Sequence, residues 1–242
     1  MKARIHLLML IGLLGLITSC QKDYDRSMIS PAHEEDFSAS QGSLEMGLQY
    51  PRLGKGFTRA PLVNQVDDPR LPKGTEVGNT LLIRTRNGIY YSLKAQQLTP
   101  GHVITVWGVV FNQPSNCAAY PEACKGSDLS NPDVLGDAVY TSGGVVKSDG
   151  TIQLRAFLRE GDASGSMAHE VSTAFPPTGL LDLDNAEIHL VIRDHGPAIP
   201  GKVYEQRSSF TGGCEVSFPP FSAFPVNSGE CGNIFAAIHL VE

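Results

Sequence analysis

The stretches TLLIRTRNGIYYSLK (80–94) and HVITVWGVVF (102–111) decide the fold class. In the first, Thr80 to Arg86 and Ile89 to Lys94 are strand-like runs separated by Asn87-Gly88. Asn-Gly between such runs marks a hairpin, because a type I′ turn needs positive φ at both central residues. The second stretch is too rich in β-branched residues for a helix and too uninterrupted for a strand with a solvated face. It reads as a central strand. Gly144 to Lys147 and Thr151 to Leu158, around Ser148-Asp149-Gly150, predict a second hairpin. Helical periodicity is nearly absent from the mature sequence, apart from one turn expected at Val203 to Ser208. These patterns predict an all-β chain, folded as an antiparallel sandwich.

Working outward, Leu98-Thr-Pro-Gly-His-Val-Ile104 resembles the L-x-P corner that precedes a strand in fibronectin-type and other immunoglobulin-like domains. That resemblance implies an immunoglobulin-like or related sandwich. The tyrosine that ties down such corners is replaced by Ile104, so its hydrogen bond is missing.

The N-terminus describes an export signal. Lys2 and Arg4 precede an apolar run from Leu7 to Ile17, closed by Thr18-Ser19-Cys20. The run is shorter than the ~20 apolar residues of a membrane span, as in a cleaved signal peptide. Leu16-Ile17-Thr18-Ser19-Cys20 resembles the lipobox of bacterial lipoproteins, which implies cleavage before Cys20 and lipid on that residue. The membrane is then a partner through acyl chains, each buried methylene contributing ~0.8 kcal/mol. No Asp follows Cys20 directly, and Lys22-Asp23-Tyr24-Asp25 resembles the export tag of surface lipoproteins of Gram-negative bacteria. Outer membrane or cell surface is the location these features imply. Three segments follow: a signal peptide (1–19), a lipidated tether (20–78) and a β-sandwich (79–242). As a flexible chain the tether has a root-mean-square span of about 40 Å.

Removing residues 1–19 takes away Lys2 and Arg4 and no acid, so the formal net charge moves from −6 to −8. No basic stripe is visible along the sequence, which argues against nucleic-acid and anionic-lipid binding. With Cys20 assigned to lipid, Cys117, Cys124, Cys214 and Cys231 remain. An even number in an exported protein predicts disulfides. Of the possible connectivities we choose the local one, Cys117–Cys124 with Cys214–Cys231. Zinc is disfavoured because neither pair has the short spacing of its ligands.

Several apparent motifs fail on inspection. Ser142 to Ser148 lacks the glycine of a phosphate loop, and it lies in a predicted hairpin. His169-Glu170 begins like a zinc protease motif, but Thr173 stands where the second histidine belongs. Asp182-Leu-Asp184-Asn185 lacks the glycine and terminal glutamate of an EF-hand and reads as a polar turn.

The phrases AEIHLV (186–191) and AAIHLV (236–241) leave the histidines to be weighed. Paired in register, His189 and His239 would face the same side of a sheet, with Asp194 and His195 just beyond. Histidine and carboxylate suit Zn, Cu or non-haem Fe. The simpler account, which we favour, is that two strands share one composition and hold no cofactor. LTPGHVITVWGVVFNQPSNC, AEIHLVIRDHGPAIPG and SSFTGGC resemble a family of exported bacterial proteins of unknown function, across residues 79–241. The resemblance implies no catalytic residue. The sequence therefore predicts a lipid-anchored, non-catalytic binding or structural module, with a glycan or protein ligand conceivable. Aromatic loop residues at Tyr120 and in Phe218 to Phe224 are candidate contacts. The alternative is a metalloprotein built on His189, His195 and His239.

Overall fold

The computed structural model describes residues 56–66, 71–171, 173–214, 216–217 and 230–241. All of these residues belong to one compact unit, Leu48–Glu242. Its strands are β1 (Phe57–Asn64), β2 (Glu76–Thr85), β3 (Gly88–Ala95), β4 (His102–Phe111) and β5 (Gly136–Val145). They continue with β6 (Ile152–Arg159), β7 (Glu187–Pro197), β8 (Val216–Ser217) and β9 (Glu230–His239), and one helical turn, α1 (Val203–Gln206), lies where the sequence predicted it.

The fold is an antiparallel β-sandwich, as the sequence implied. Its two layers belong to one hydrogen-bonded ladder in the order β5-β4-β7-β9-β1-β2-β3-β6, with β8 parallel to β9. The ladder folds over between β9 and β1, where only Val63 and Asn64 pair, with Ala236 and Phe235. One layer is thus β5-β4-β7-β9 and the other β1-β2-β3-β6. At the opposite seam β5 and β6 form no ladder; the Tyr91 hydroxyl bridges from β3 to Thr141 and Ser142 of β5 at 2.7 and 2.6 Å. Between the layers lie Leu62, Leu82 and Leu93 from one side and Val106, Leu190 and Ile192 from the other, all fully buried. Central β4 is buried almost throughout on both faces, as its unbroken apolar run predicted.

Three expectations are corrected. The sheet begins inside the segment assigned to the tether, since β1 pairs with β2 from Phe57 to Val63. Ala60, Leu62 and Asn64 point inward, but Arg59 and Pro61 hide this alternation in the sequence. Pro61 is tolerated because β1 has no partner on its β9 side there.

The first hairpin forms with its turn displaced by one residue: Thr85 pairs with Gly88, leaving Arg86-Asn87 as the turn. Gly88 is needed for space, because a Cβ there would lie 2.3 Å from the Leu158 carbonyl oxygen. The second hairpin is a corner. Its turn closes through Lys147 N to Thr151 O at 3.0 Å, but β5 then follows β4 while β6 follows β3.

Candidate functional site: the covered face of the β4-β7-β9 layer

Strand alternation sends one set of side chains from β4, β7 and β9 away from the core. In register across these strands, Phe111 lies beside Glu187, Val109 beside His189, Trp107 beside Val191 and Thr105 beside Arg193. A disulfide-stapled loop, Cys117–Cys124, and the segment from Phe210 to Cys214, tied to β9 by a second disulfide, cover this face. Both connectivities are those chosen from the sequence: Cys117–Cys124 and Cys214–Cys231, with S–S distances of 2.05 and 1.96 Å.

The first loop makes a largely apolar cap. Cys117, Cys124 and Val134 pack on Phe111, and Asp128 holds the loop by accepting from the Ala118 and Lys125 amides. Glu187, buried beneath it, accepts from the Cys124 amide at 2.8 Å and pairs with His189 Nε2 at 2.6 Å. His189 also lies against Phe111, with ring centroids 4.9 Å apart.

Beneath the Phe210–Cys214 segment the chemistry is polar. The Arg193 side chain is fully buried; Nε donates to Phe210 O at 2.9 Å, and the guanidinium carbon stands 3.9 Å from the Phe210 ring centroid. Burial lowers its pKa to about 10, opposed by Glu170 and Asp194, so it stays a cation at neutral pH. Trp107 meets Phe210 and Tyr140 edge-on at 5.2 and 5.8 Å. Glu170 closes the loop by accepting from the Phe210 amide at 2.6 Å.

His195 completes this cluster with both ring nitrogens engaged. Nδ1 donates to Gly212 O at 3.0 Å, because a carbonyl can only accept. Nε2 therefore accepts from Thr105 Oγ1 at 2.9 Å, whose oxygen in turn accepts from Trp107 Nε1 at 2.9 Å. Burial, with Arg193 adding to it, depresses the His195 pKa to about 4; Gly212 and Asp194 oppose the shift. Its Nδ1 lies 3.6 Å from Cys214 Sγ and 3.8 Å from Cys231 Sγ.

The predicted meeting of His189 and His239 does not occur. Ile188 is the partner of His239, and His189 that of Ile238, so the phrases pair one residue out of register. A shift of one residue turns a side chain to the opposite face. His239 therefore points inward, where Nδ1 meets Thr58 Oγ1 at 2.8 Å and Nε2 meets Thr80 Oγ1 at 2.9 Å. The Thr80 hydroxyl donates to Ala60 O, so His239 carries its proton on Nε2 and accepts from Thr58. Burial, then Arg84 and His189, lower its pKa to about 4.

Asp194 does not join His195 either. It faces the opposite side and pairs with buried His102 at 3.0 Å, while also accepting from the Gly196 amide. The four residues of the metal alternative are thus split among separate environments.

Two groups among the described residues do bring three ligand-type atoms within 4.8 Å: His195 with Cys214 and Cys231, and Cys117 with Cys124 and Asp128. Each contains a disulfide, whose sulfurs bear no thiolate to bind a metal. Sequence reasoning missed Arg193, Trp107 and Thr105. Arg193 alone left a trace, as a charge directly after the largely apolar run Ile188 to Ile192. Asp182 behaves as predicted, its carboxylate accepting from the Asp184 and Asn185 amides in a polar turn. Cys20 and Phe218 to Phe224 lie outside the described residues.

No family model and no curated protein matches the chain. Among solved structures it is similar to a SOD-like protein from Bacillus subtilis at 15% identity, covering 76% of this chain and 100% of that one, with a TM-score of 0.33. A mutant of that protein aligns with the same identity and TM-score over 77% of this chain. No residue role is transferred from this likeness.

Proposed function

We propose that the chain is a lipid-anchored cell-envelope protein whose β-sandwich acts as a non-catalytic binding module. The observation that supports this reading is the saturation of the buried imidazoles. His195 and His239 each use both nitrogens in hydrogen bonds to their own fold, and the nearby sulfurs are oxidised. Such groups brace loops and strands; they are not poised to exchange protons with a substrate. The lipobox at Cys20 supplies the anchor in this reading.

Metabolic labelling with a fatty acid tests the anchor: wild-type protein incorporates label and fractionates with membranes, and Cys20→Ser does neither. An unlabelled wild type would sink it. Co-sedimentation of detergent-solubilised protein with isolated cell envelopes tests the binding role, and failure of wild type to be retained counts against it.

The His195–Cys214–Cys231 grouping supports one second reading, a metal site available only after reduction. Two thiolates and an imidazole suit Zn²⁺ or Cu⁺. Elemental analysis with and without a reductant separates the readings, since metal uptake confined to reduced protein is expected of the second alone.

A further inference from the structure

Among the described residues the outer face of the β1-β2-β3-β6 layer carries exposed side chains, and its register assembles a chemical pattern. Phe57, Ile83, Tyr90 and Phe157 are successive cross-strand partners, forming one apolar row across four strands. Neighbouring strands lie ~4.8 Å apart, so the row runs ~14 Å. Its outer members are open to solvent, Phe57 at 64% and Phe157 at 47% exposure. Two residues further along each strand, Arg59, Leu81, Ser92 and Arg155 form a parallel row with an exposed arginine at each end.

The next row contains Asn79, Lys94 and Gln153, and it opens into a groove of about 530 Å³ that Gln96 and Thr151 also line. Gly78, at the groove's edge, is required by the close pairing of β2 with β3, since a Cβ there would lie 2.0 Å from the Lys94 carbonyl oxygen. None of these three rows contains an Asp or Glu; Glu76 lines the groove at the strand's end. In a chain of net charge −6, this face is locally cationic.

We propose that this face binds an acidic polysaccharide, the sugar rings lying on the Phe57–Tyr90–Phe157 row and the sugar carboxylates meeting Arg59, Arg155 and Lys94. Three features match that occupant. Aromatic faces accept the apolar faces of pyranose rings, while guanidinium groups take carboxylates in bidentate pairs. Asn79, Gln153, Gln96 and Thr151 offer donors and acceptors for hydroxyl groups. The strand pleat spaces the aromatic and arginine rows by ~7 Å along the face, which suits an extended chain. The proposal rests on the binding-module reading and names its surface and ligand.

Affinity electrophoresis of the detergent-solubilised full chain tests it, with polygalacturonate, neutral dextran and poly-glutamate as probes in separate gels. Polygalacturonate should retard the wild type and dextran should not. The double variant Arg59→Glu/Arg155→Glu should lose about tenfold or more of that affinity, and Tyr90→Ala/Phe157→Ala should weaken it at unchanged charge. Thermal melts of the variants confirm that they remain folded. Absence of retardation, equal retardation of wild type and both variants, or equal binding of poly-glutamate would overturn the proposal, the last pointing to an acidic protein partner. The same variants in the envelope co-sedimentation assay keep the two readings apart. Retention unchanged by the variants would remove this surface and leave the binding module standing, whereas failure of wild type to be retained would remove the module itself.

Discussion

The two outer faces of the sandwich use the same residue types to opposite ends. On the β4-β7-β9 face Arg193 is enclosed, stacked on Phe210 and bonded to backbone carbonyl and Asn233, with the Phe210–Cys214 segment held to β9 by Cys214–Cys231. On the β1-β2-β3-β6 face Arg59 and Arg155 stand in solvent beside exposed Phe57 and Phe157. An arginine and an aromatic therefore mean architecture on one side and an accessible surface on the other. What separates them is the covering loop, because a buried charge must be fully partnered while an exposed one is already satisfied by water.

Breaking the covered face should have the largest effect. Arg193→Ala leaves Phe210 O and Asn233 without their donor and opens space below the loop. It should destabilise the protein by about 3–5 kcal/mol in urea unfolding.

Acid should come next. The imidazoles of His195 and His239 bind a proton near 6.5 in the unfolded chain and at about 4 in the folded one. Between those values the unfolded state holds more protons, so stability falls as pH drops from about 6.5 through about 4, and is indifferent to them above that window. Each contributes a loss on the order of 3 kcal/mol when complete. His239→Gln should flatten part of this slope, and a pH–stability curve identical to wild type would contradict the burial argument.

Opening the staples should cost somewhat less. The Cys214–Cys231 link spans 17 residues and Cys117–Cys124 spans 7. Loop-closure entropy assigns about 3 kcal/mol to the longer and slightly less to the shorter, which paired Cys→Ser variants and thermal melts would compare. Smallest of all, Arg155→Ala on the bare face should change stability by no more than about 0.5 kcal/mol. A loss approaching that of Arg193→Ala would mean that the bare face is also built into the fold.

Much of this architecture was legible in one dimension. The run at 102–111 announced a strand buried on both sides, and cysteine parity with the expected export anticipated both disulfides. Where the reading failed, geometry across strands was responsible. Asn87-Gly88 marked a hairpin but the turn closed one residue earlier, since Gly88 is required by the approach of β6. The two histidine phrases looked equivalent, yet pairing Ile188 with His239 put one histidine on the covered face and the other in the core. No basic stripe runs along the sequence; Arg59, Lys94 and Arg155 share one face only because β1, β3 and β6 belong to one layer.

Local chemistry by itself determined most of the strands, though not β1, together with the central position of β4, the polar turn at Asp182 and the local pairing of the cysteines. Each of these depends on neighbours within a few residues, or on the compartment. The tertiary structure alone decided which side every strand presents, whether a loop covers it, and which distant residues share a row. Those outcomes depend on register between segments far apart in the chain, and with a side-chain period of two a single step reverses them.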